Sequence, residues 1–257
     1  MKHITSADNP FYKELLKLSS VARQRDKSGQ TLLDGVHLLA SYLASGKKPL
    51  HLVLTAGAQE NKEINSLINE LSGVPITQLD DKLFEALSEL KTVSGVLALI
   101  SIPQLAQQPR PGNFSLWLEN IQDPGNLGSI IRSAAAAGCD AVLMSKGCAD
   151  VWSPKVLRAA MGGHFVLNLH ENTDLTDIAN KFDGTLYAAA LHAESSLYDA
   201  DFGGKIAFAI GNEGAGLSQA LLNFAKSIII PMPGKVESLN AAAAAAVCLF
   251  EAVRQRK

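Results

Sequence analysis

The sequence predicts an α/β protein in two parts, a smaller amino-terminal α/β unit and a larger carboxy-terminal unit built on a parallel sheet. Three observations carry that expectation. Short apolar runs alternate with segments of helical periodicity along nearly the whole chain. The alternation breaks at residues 103–113, PQLAQQPRPGN, where Pro and Gln replace any period and a linker is expected. The 257 residues, 47% of them hydrophobic and 19% charged, supply ample apolar material for buried cores, unlike a disordered chain.

The first expected domain covers residues 1–102. NPFYKELLKLSSVARQ reads as an amphipathic helix, with Phe11, Leu15, Leu16 and Leu18 at roughly helical spacing. The runs TLLDG, VHLLASYLAS, LHLVLTA, ENKEINSLINEL, PITQL, KLFEALSEL and GVLALISI then alternate as short strands and helices as far as Ile102. The second expected domain covers residues 114–257. FSLWLEN is its first strand, followed by a helix from about Leu127, the strand AVLMS and a helix around VLRAAM. FVLNLH, TLYAAA, IAFAI and SIIIPM supply further strands, with helices near LTDIANKF and LSQALLNFA. A helix containing six consecutive alanines closes the chain. Apolar strands separated by helices are the pattern of a parallel sheet covered on both faces.

Several function classes are excluded. MKHITSADNPFYK lacks the apolar stretch of a secretory signal. The longest apolar run, Ala241 to Phe250, falls well short of the ~18 residues of a membrane span. A cytoplasmic protein without membrane association is expected. Cys139, Cys148 and Cys248 are odd in number and form no CxxC, so neither a disulfide framework nor a zinc site is expected. The six histidines make no HxxxH or His–Cys cluster, and no metal is expected. Net charge is −2, which gives no global attraction to nucleic acid. Within residues 1–30, however, Lys2, Lys13, Lys17, Arg23, Arg25 and Lys27 outnumber Asp8, Glu14 and Asp26, and the chain ends in RQRK. A local basic patch of this kind is compatible with an RNA backbone, although most charged runs are simply solvated faces.

Three segments place polar, turn-forming residues at the end of an apolar strand, where ligands bind in open α/β sheets. In ENIQDPGNLGSIIRSAAAAG, residues 119–138, the Asp-Pro-Gly-Asn stretch suits a tight strand-to-helix connection. Arg132 stands among small apolar neighbours, so it is expected near a buried helix face, where a guanidinium needs an anionic partner or a ligand. In IAFAIGNEGAGLSQ, residues 206–219, the glycines are spaced GxxGxG rather than GxGxxG. Glu213 would also repel a pyrophosphate, so a cofactor without phosphate, preferably cationic, fits better. The third segment leads from IIIPMPGKVESLN into the alanines. Ser238 has an ordinary explanation as a helix cap. Asn240 two residues later does not, since asparagine inside a helix costs up to ~0.7 kcal/mol relative to alanine.

Together N-x-x-D-P-x-N-x-G-x-x-x-R, G-N-E-G-x-G and I-P-M-x-G-x-x-x-S-L-N closely resemble the three signature motifs of the SpoU (TrmH-like) family of RNA ribose 2′-O-methyltransferases, within the SPOUT superfamily. Their order and spacing match over residues 114–256. The resemblance implies a carboxy-terminal α/β domain with a trefoil knot, preceded by an L30e-like α/β domain that binds the RNA substrate. It implies S-adenosylmethionine as cofactor and Asn126, Arg132, Glu213, Ser238 and Asn240 as the catalytic set. Gly211, Ile230, Met232 and Leu239 fall where the family's loop backbone contacts the cofactor. It further implies a homodimer formed through the carboxy-terminal domain, and the two-domain layout makes ribosomal RNA the expected substrate. A tRNA 2′-O-methyltransferase and a non-catalytic RNA-binding or ribosome-assembly factor on the same fold stand as the alternatives. One departure is visible: the family commonly continues with a Val-Ser-Val-like stretch after S-L-N, where this chain runs straight into alanines.

Overall fold

Helix α1 (Pro10–Ser20) starts where the sequence allows it to. Asn9 Oδ1 accepts the backbone N–H groups of Phe11 and Tyr12 at 3.0 and 3.4 Å, and Pro10 fills the first helical position, where no N–H is needed. Tyr12, Leu15 and Leu18 form its buried stripe, with Phe11 and Leu16 packed at the margin. Val21 is extended and separates α1 from α2 (Ala22–Ser28), so the single expected helix is two. Gly29 closes α2 in the left-handed conformation, at φ 63°.

The structure is a computed structural model that describes residues 1–88, 90, 92–103 and 108–256. Of the expected linker, residues 104–107 lie outside the described residues, as do Glu89 in KLFEALSEL, Lys91 and the terminal Lys257 of RQRK. The chain divides into two units, Met1–Gln104 with Trp152–Phe165, and Leu105–Val151 with Val166–Lys257.

In the first unit, strands β1 (Lys2–Ile4), β2 (Gln30–Asp34), β3 (His51–Leu54), β4 (Ile76–Leu79) and β5 (Val96–Ser101) form one sheet in the order β1-β4-β3-β5-β2. β1, β4 and β3 run parallel, and β5 is antiparallel to both β3 and β2. Helices α3 (Val36–Ala44), α4 (Lys62–Glu70) and α5 (Asp81–Glu85) connect the strands, and Leu15, Leu18, Leu32, Val53, Leu79, Phe84 and Leu97 form one core. Helix α7 (Pro154–Ala160), from the second half of the chain, belongs to this unit. Thr31 Oγ1 donates to the Trp152 carbonyl at 2.7 Å, and the Tyr42 and Phe165 rings meet edge to face at 5.1 Å. Arg25, expected in the basic patch, is instead buried, with Nη1 donating to the Leu18 carbonyl at 2.6 Å; Lys2, Lys17, Arg23 and Lys27 are exposed.

The second unit holds β6 (Phe114–Glu119), α6 (Pro124–Ala136), β7 (Ala141–Met144), β8 (Asn168–His170), α8 (Leu175–Lys181), β9 (Thr185–Ala189), β10 (Ser195–Ser196), β11 (Ile206–Gly211), α9 (Gln219–Leu222), β12 (Lys226–Ile229) and α10 (Ala241–Gln255). Its strands pair in the order β10-β12-β9-β11-β6-β7-β8, and every pairing is parallel. β6 and β11 are buried along nearly their whole length, as a strand covered on both faces must be. Trp117, Leu143, Leu186, Ala207 and Ala209 meet α8 and α9 through Leu175, Ala179 and Leu221. Helix α10 packs on α6 and β11. Its buried positions Ala241, Ala245 and Cys248 recur at helical spacing and present small side chains on the packed face.

The carboxy-terminal turn is latched to the chain before β11. Gln255 Nε2 donates to the Ala200 carbonyl at 3.1 Å, Gln255 Oε1 accepts Phe202 N–H at 3.0 Å, and Arg256 donates to the Phe202 carbonyl at 3.2 Å. Hydrogen bonds from Arg254 and Gln255 hold the Glu251 carboxyl down to about 2. The three cysteines are free, and burial pushes the thiols of Cys139 and Cys248 up to about 12. Among the described residues no helix is long and apolar enough to cross a membrane, and no three His, Cys, Asp or Glu side chains cluster as metal ligands.

Candidate active site

The order of the second sheet fixes where a ligand can sit. From β6 the chain crosses through α6 to β7 on one side, and from β11 it crosses through α9 to β12 on the other. The loops after these adjacent strands therefore part, leaving a crevice at the switch point of a parallel sheet. Glu119 is paired with Gly211, so both strands end at the same level. Two of the three sequence motifs leave the sheet here side by side.

Each motif is shaped by local chemistry. Asp123 caps α6, its Oδ1 accepting Asn126 N–H at 2.7 Å, and Pro124 fills the first helical position. The loop after β11 closes on itself. Asn212 Oδ1 accepts Gly214 and Ala215 N–H at 2.9 and 3.1 Å, and the Asn212 carbonyl accepts Gly216 N–H at 2.8 Å. Gly216 is left-handed at φ 68°, and a Cβ on Gly211 would overlap the Gly216 carbonyl, so both positions need glycine.

The third motif corrects the sequence-based expectation. Helix α10 begins at Ala241, and Asn240, not Ser238, is its cap: Oδ1 accepts Ala242 and Ala243 N–H at 2.9 and 3.3 Å. The asparagine is not an interior misfit. Capping occupies only its oxygen and leaves the amide N–H₂ free to donate. Asn240 Nδ2 donates to Asn126 Oδ1 at 2.9 Å, and Asn126 Nδ2 in turn donates to Glu213 Oε1. One residue from each motif thus enters a single relay from a carboxylate through two amides to a helix N-terminus. The relay fixes the flip of both amides, because Asn240 must present oxygen to the helix and nitrogen to Asn126.

Beside the relay lies a cavity of about 460 Å³, within the usual range for small-molecule sites. Gly211, Glu213, Ile230, Met232, Ser238 and Leu239 line it, which brings together six of the nine residues singled out from the sequence. The other walls come from Ala189 to Ala193 after β9, from Asn212 to Leu217, and from Ala241 and Ala244 on α10. Among the described residues no lysine or arginine lines the cavity, and Glu213 and His192 are the charge-capable side chains there. Such a lining disfavours phosphate and accommodates a cation.

Arg132 stands apart. It is exposed on α6, not near a buried face, because the small residues around it alternate between the core side and solvent. Among the described residues its guanidinium has no hydrogen bond or ion pair. At about 1.5 Å rise per residue it lies roughly 9 Å further along the helix than Asn126, and the relay does not hold it.

Sequence reasoning missed the wall after β9, whose Leu191 and His192 carry no turn or motif signal. It also passed over Glu119, Asn120 and Asn212, although all three stand within or beside the motifs. Asn212 Nδ2 donates to the Asn120 carbonyl at 3.1 Å, and Glu119 accepts from Ser218.

Residues 113–250 match the model of the SpoU rRNA methylase family. The chain belongs to that family. Residues 9–98 match the model of the MRM3-like substrate binding domain. The chain is 35% identical to an uncharacterized tRNA/rRNA methyltransferase of Synechocystis sp., over 98% of its own length and 94% of the relative's. It is 32% identical to the 23S rRNA (guanosine(2553)-2′-O)-methyltransferase RlmP of Bacillus subtilis, over 97% and 98% of the two chains. The SpoU methyltransferase AviRb of Streptomyces viridochromogenes, solved in complex with the cofactor AdoMet, superposes with a TM-score of 0.85 at 29% identity, over 96% and 98% of the chains. This SpoU chain therefore shares its fold with relatives along almost its entire length, and its three motif loops meet at one end of one sheet.

Proposed function

We propose that this SpoU-family chain is an S-adenosylmethionine-dependent RNA ribose 2′-O-methyltransferase acting on ribosomal RNA. The observation that carries the reading is the Glu213–Asn126–Asn240 relay set beside a cavity that, among the described residues, no lysine or arginine lines. The cofactor, when bound, supplies an electrophilic methyl group on a sulfonium centre. The cavity suits it: apolar walls for the adenosine, no lysine or arginine among the described lining residues, and the Glu213 carboxylate in the lining. Gly211, Ile230, Met232, Ser238 and Leu239 would hold it, largely through loop backbone. Methyl transfer would be an in-line displacement, the new C–O bond forming as the C–S bond breaks to leave a neutral thioether, with the hydroxyl proton passing to water. The exposed Arg132 guanidinium would hold a substrate phosphate and stabilise charge growing on the ribose oxygen. The residues of the relay keep the three loops in register around the donor. The relatives named as rRNA methyltransferases and the amino-terminal substrate-binding match support ribosomal RNA as the substrate.

The same reading extends to architecture. The carboxy-terminal domain would carry the trefoil knot of its superfamily, with residues 231–240 passing through the preceding chain. The amino-terminal domain would be L30e-like, and residues 103–113 the linker between the two. Free cysteines and the absence of a spanning helix among the described residues support a cytoplasmic location. The protein would act as a homodimer through the face of α10 that carries Ala243, Val247 and Phe250; Phe250 is 48% exposed, a large ring left in water. Phe250→Glu is expected to convert the dimer to a monomer on light scattering with little change in melting temperature. A wild-type monomer at micromolar concentration would remove this part of the reading.

The deciding experiment maps ribose 2′-O-methylation across ribosomal and transfer RNA in a deletion strain restored with wild type or Asn240→Asp. Aspartate can still cap α10 but cannot donate to Asn126, so the variant is expected to fold within a few degrees of wild type while restoring no methylation. Loss of one ribosomal site, restored by wild type alone, is the expected outcome. A lost site in tRNA would move the substrate assignment, and full restoration by Asn240→Asp would dismiss the relay.

A further inference from the structure

The loop after β11 forms one wall of the cavity, and the relay holds it only at Glu213. The loop is fastened at both ends to Glu119, the last residue of β6, and Asn120 directly after it. At its start, Asn212 Nδ2 donates to the Asn120 carbonyl at 3.1 Å. Asn120 is left-handed at φ 58°, a conformation that costs energy in a non-glycine residue, and its own N–H donates to Ser145 Oγ at 3.0 Å. At the loop's end, Glu119 grips Ser218 twice: Oε2 accepts the backbone N–H at 2.6 Å and Oε1 accepts the hydroxyl at 2.8 Å. Ser218 Oγ also accepts Leu221 N–H at 3.3 Å, so the grip runs on into the cap of α9. Glu119 is half-buried and does not line the cavity.

We propose that Glu119 is a positioning residue for this site, a carboxylate clamp that holds the wall 212–218 at the spacing the methyl donor requires. The inference rests on the reading of the cavity as the donor's site. Its physical basis is that a two-point, charge-assisted hydrogen bond fixes orientation as well as distance. The glycines at 211, 214 and 216 give the loop freedom that must be removed somewhere, and β6 removes it. Glu119 does not line the cavity, so its loss should weaken donor binding while leaving the chemical step nearly intact once donor is saturating.

The test combines calorimetric titration with S-adenosylmethionine, steady-state kinetics and amide hydrogen exchange on the ligand-free full-length protein. Glu119→Ala is expected to raise the dissociation constant at least about ten-fold, with kcat at saturating donor within about three-fold of wild type. Exchange of the amides at 214, 215, 216 and 218 should accelerate at least about ten-fold, with β11 unchanged. Glu119→Gln, whose amide can still accept from the Ser218 backbone, should recover most of both effects. Ser218→Ala should cost affinity in wild type and little in the Glu119→Ala background; additive costs would overturn the clamp. So would exchange in residues 212–218 within two-fold of wild type. If Glu119→Ala does not fold, Ser218→Ala alone must show the faster exchange, or the clamp is rejected. A wild-type protein that binds no S-adenosylmethionine would overturn the methyltransferase reading, and the exchange experiment, which needs no ligand, would still decide the clamp.

Discussion

Arg132→Ala is expected to lower kcat by about a thousand-fold while leaving the dissociation constant for S-adenosylmethionine within about two-fold of wild type. The split follows from the geometry. Arg132 is not among the residues of the cavity, so the donor has no contact to lose. Its guanidinium is exposed and, among the described residues, without an internal partner, so no fold-stabilising bond is broken either. In the proposed reading it holds the RNA. A planar fork of donors can take two oxygens of one phosphate, whereas lysine offers a point charge. Arg132→Lys should therefore retain charge attraction but lose alignment, at a cost of about ten- to a hundred-fold in kcat. Near-normal turnover of Arg132→Lys with a transcribed RNA fragment would reject two-point recognition. A large rise in the donor dissociation constant of Arg132→Ala would place the arginine at the cofactor instead.

Gly211→Ala is expected to abolish measurable S-adenosylmethionine binding, a loss of at least about a hundred-fold, and to lower stability by about 1–3 kcal/mol. Gly211 is the last residue of β11, and an added methyl group would overlap the backbone of Gly216 and Leu217. In an unanchored loop the backbone would simply step aside. Here Asn120 holds one end and Glu119 the other, so relief must come from displacing the cavity wall itself. The methyl group converts a spacing requirement into a binding defect. Normal donor affinity in Gly211→Ala would mean that the wall moves freely, and that neither the glycine nor its anchors set the shape of the cavity.

The secondary structure was legible wherever a local rule acts alone. Proline at the first turn after the Asn9 cap marks the start of α1, and unbroken apolar runs mark β6, β7 and β11. Helix α6, expected from about Leu127, begins three residues earlier at Pro124, because Asp123 and Pro124 form its cap and first turn rather than a separate connection. Reading failed where a short-range signal had two solutions. NPFYKELLKLSSVARQ keeps helical spacing across Val21, and only the extended backbone there divides it. The alanine run gives no mark of its own beginning, since alanine is favourable at every helical position, so the helix was expected to start before Asn240. β10, of two residues, has no pattern to read at all.

By itself the sequence determined the α/β class, the order of elements and the three polar loops at strand ends, because periodicity and turn chemistry are properties of neighbours along the chain. It also named six residues of the cavity through their motifs. Only the tertiary structure decided how those residues divide the work. Hydrogen bonds spanning 87 and 114 residues join Glu213 to Asn126 and Asn126 to Asn240, and one spanning 99 residues joins Ser218 to Glu119. Parallel strands can bring such distant residues together only through crossovers whose side of the sheet no local signal records. The exposure of Arg132 was decided the same way: the same small neighbours would suit a buried or a solvent face, and the packing of α6 against α10 turned the arginine outward.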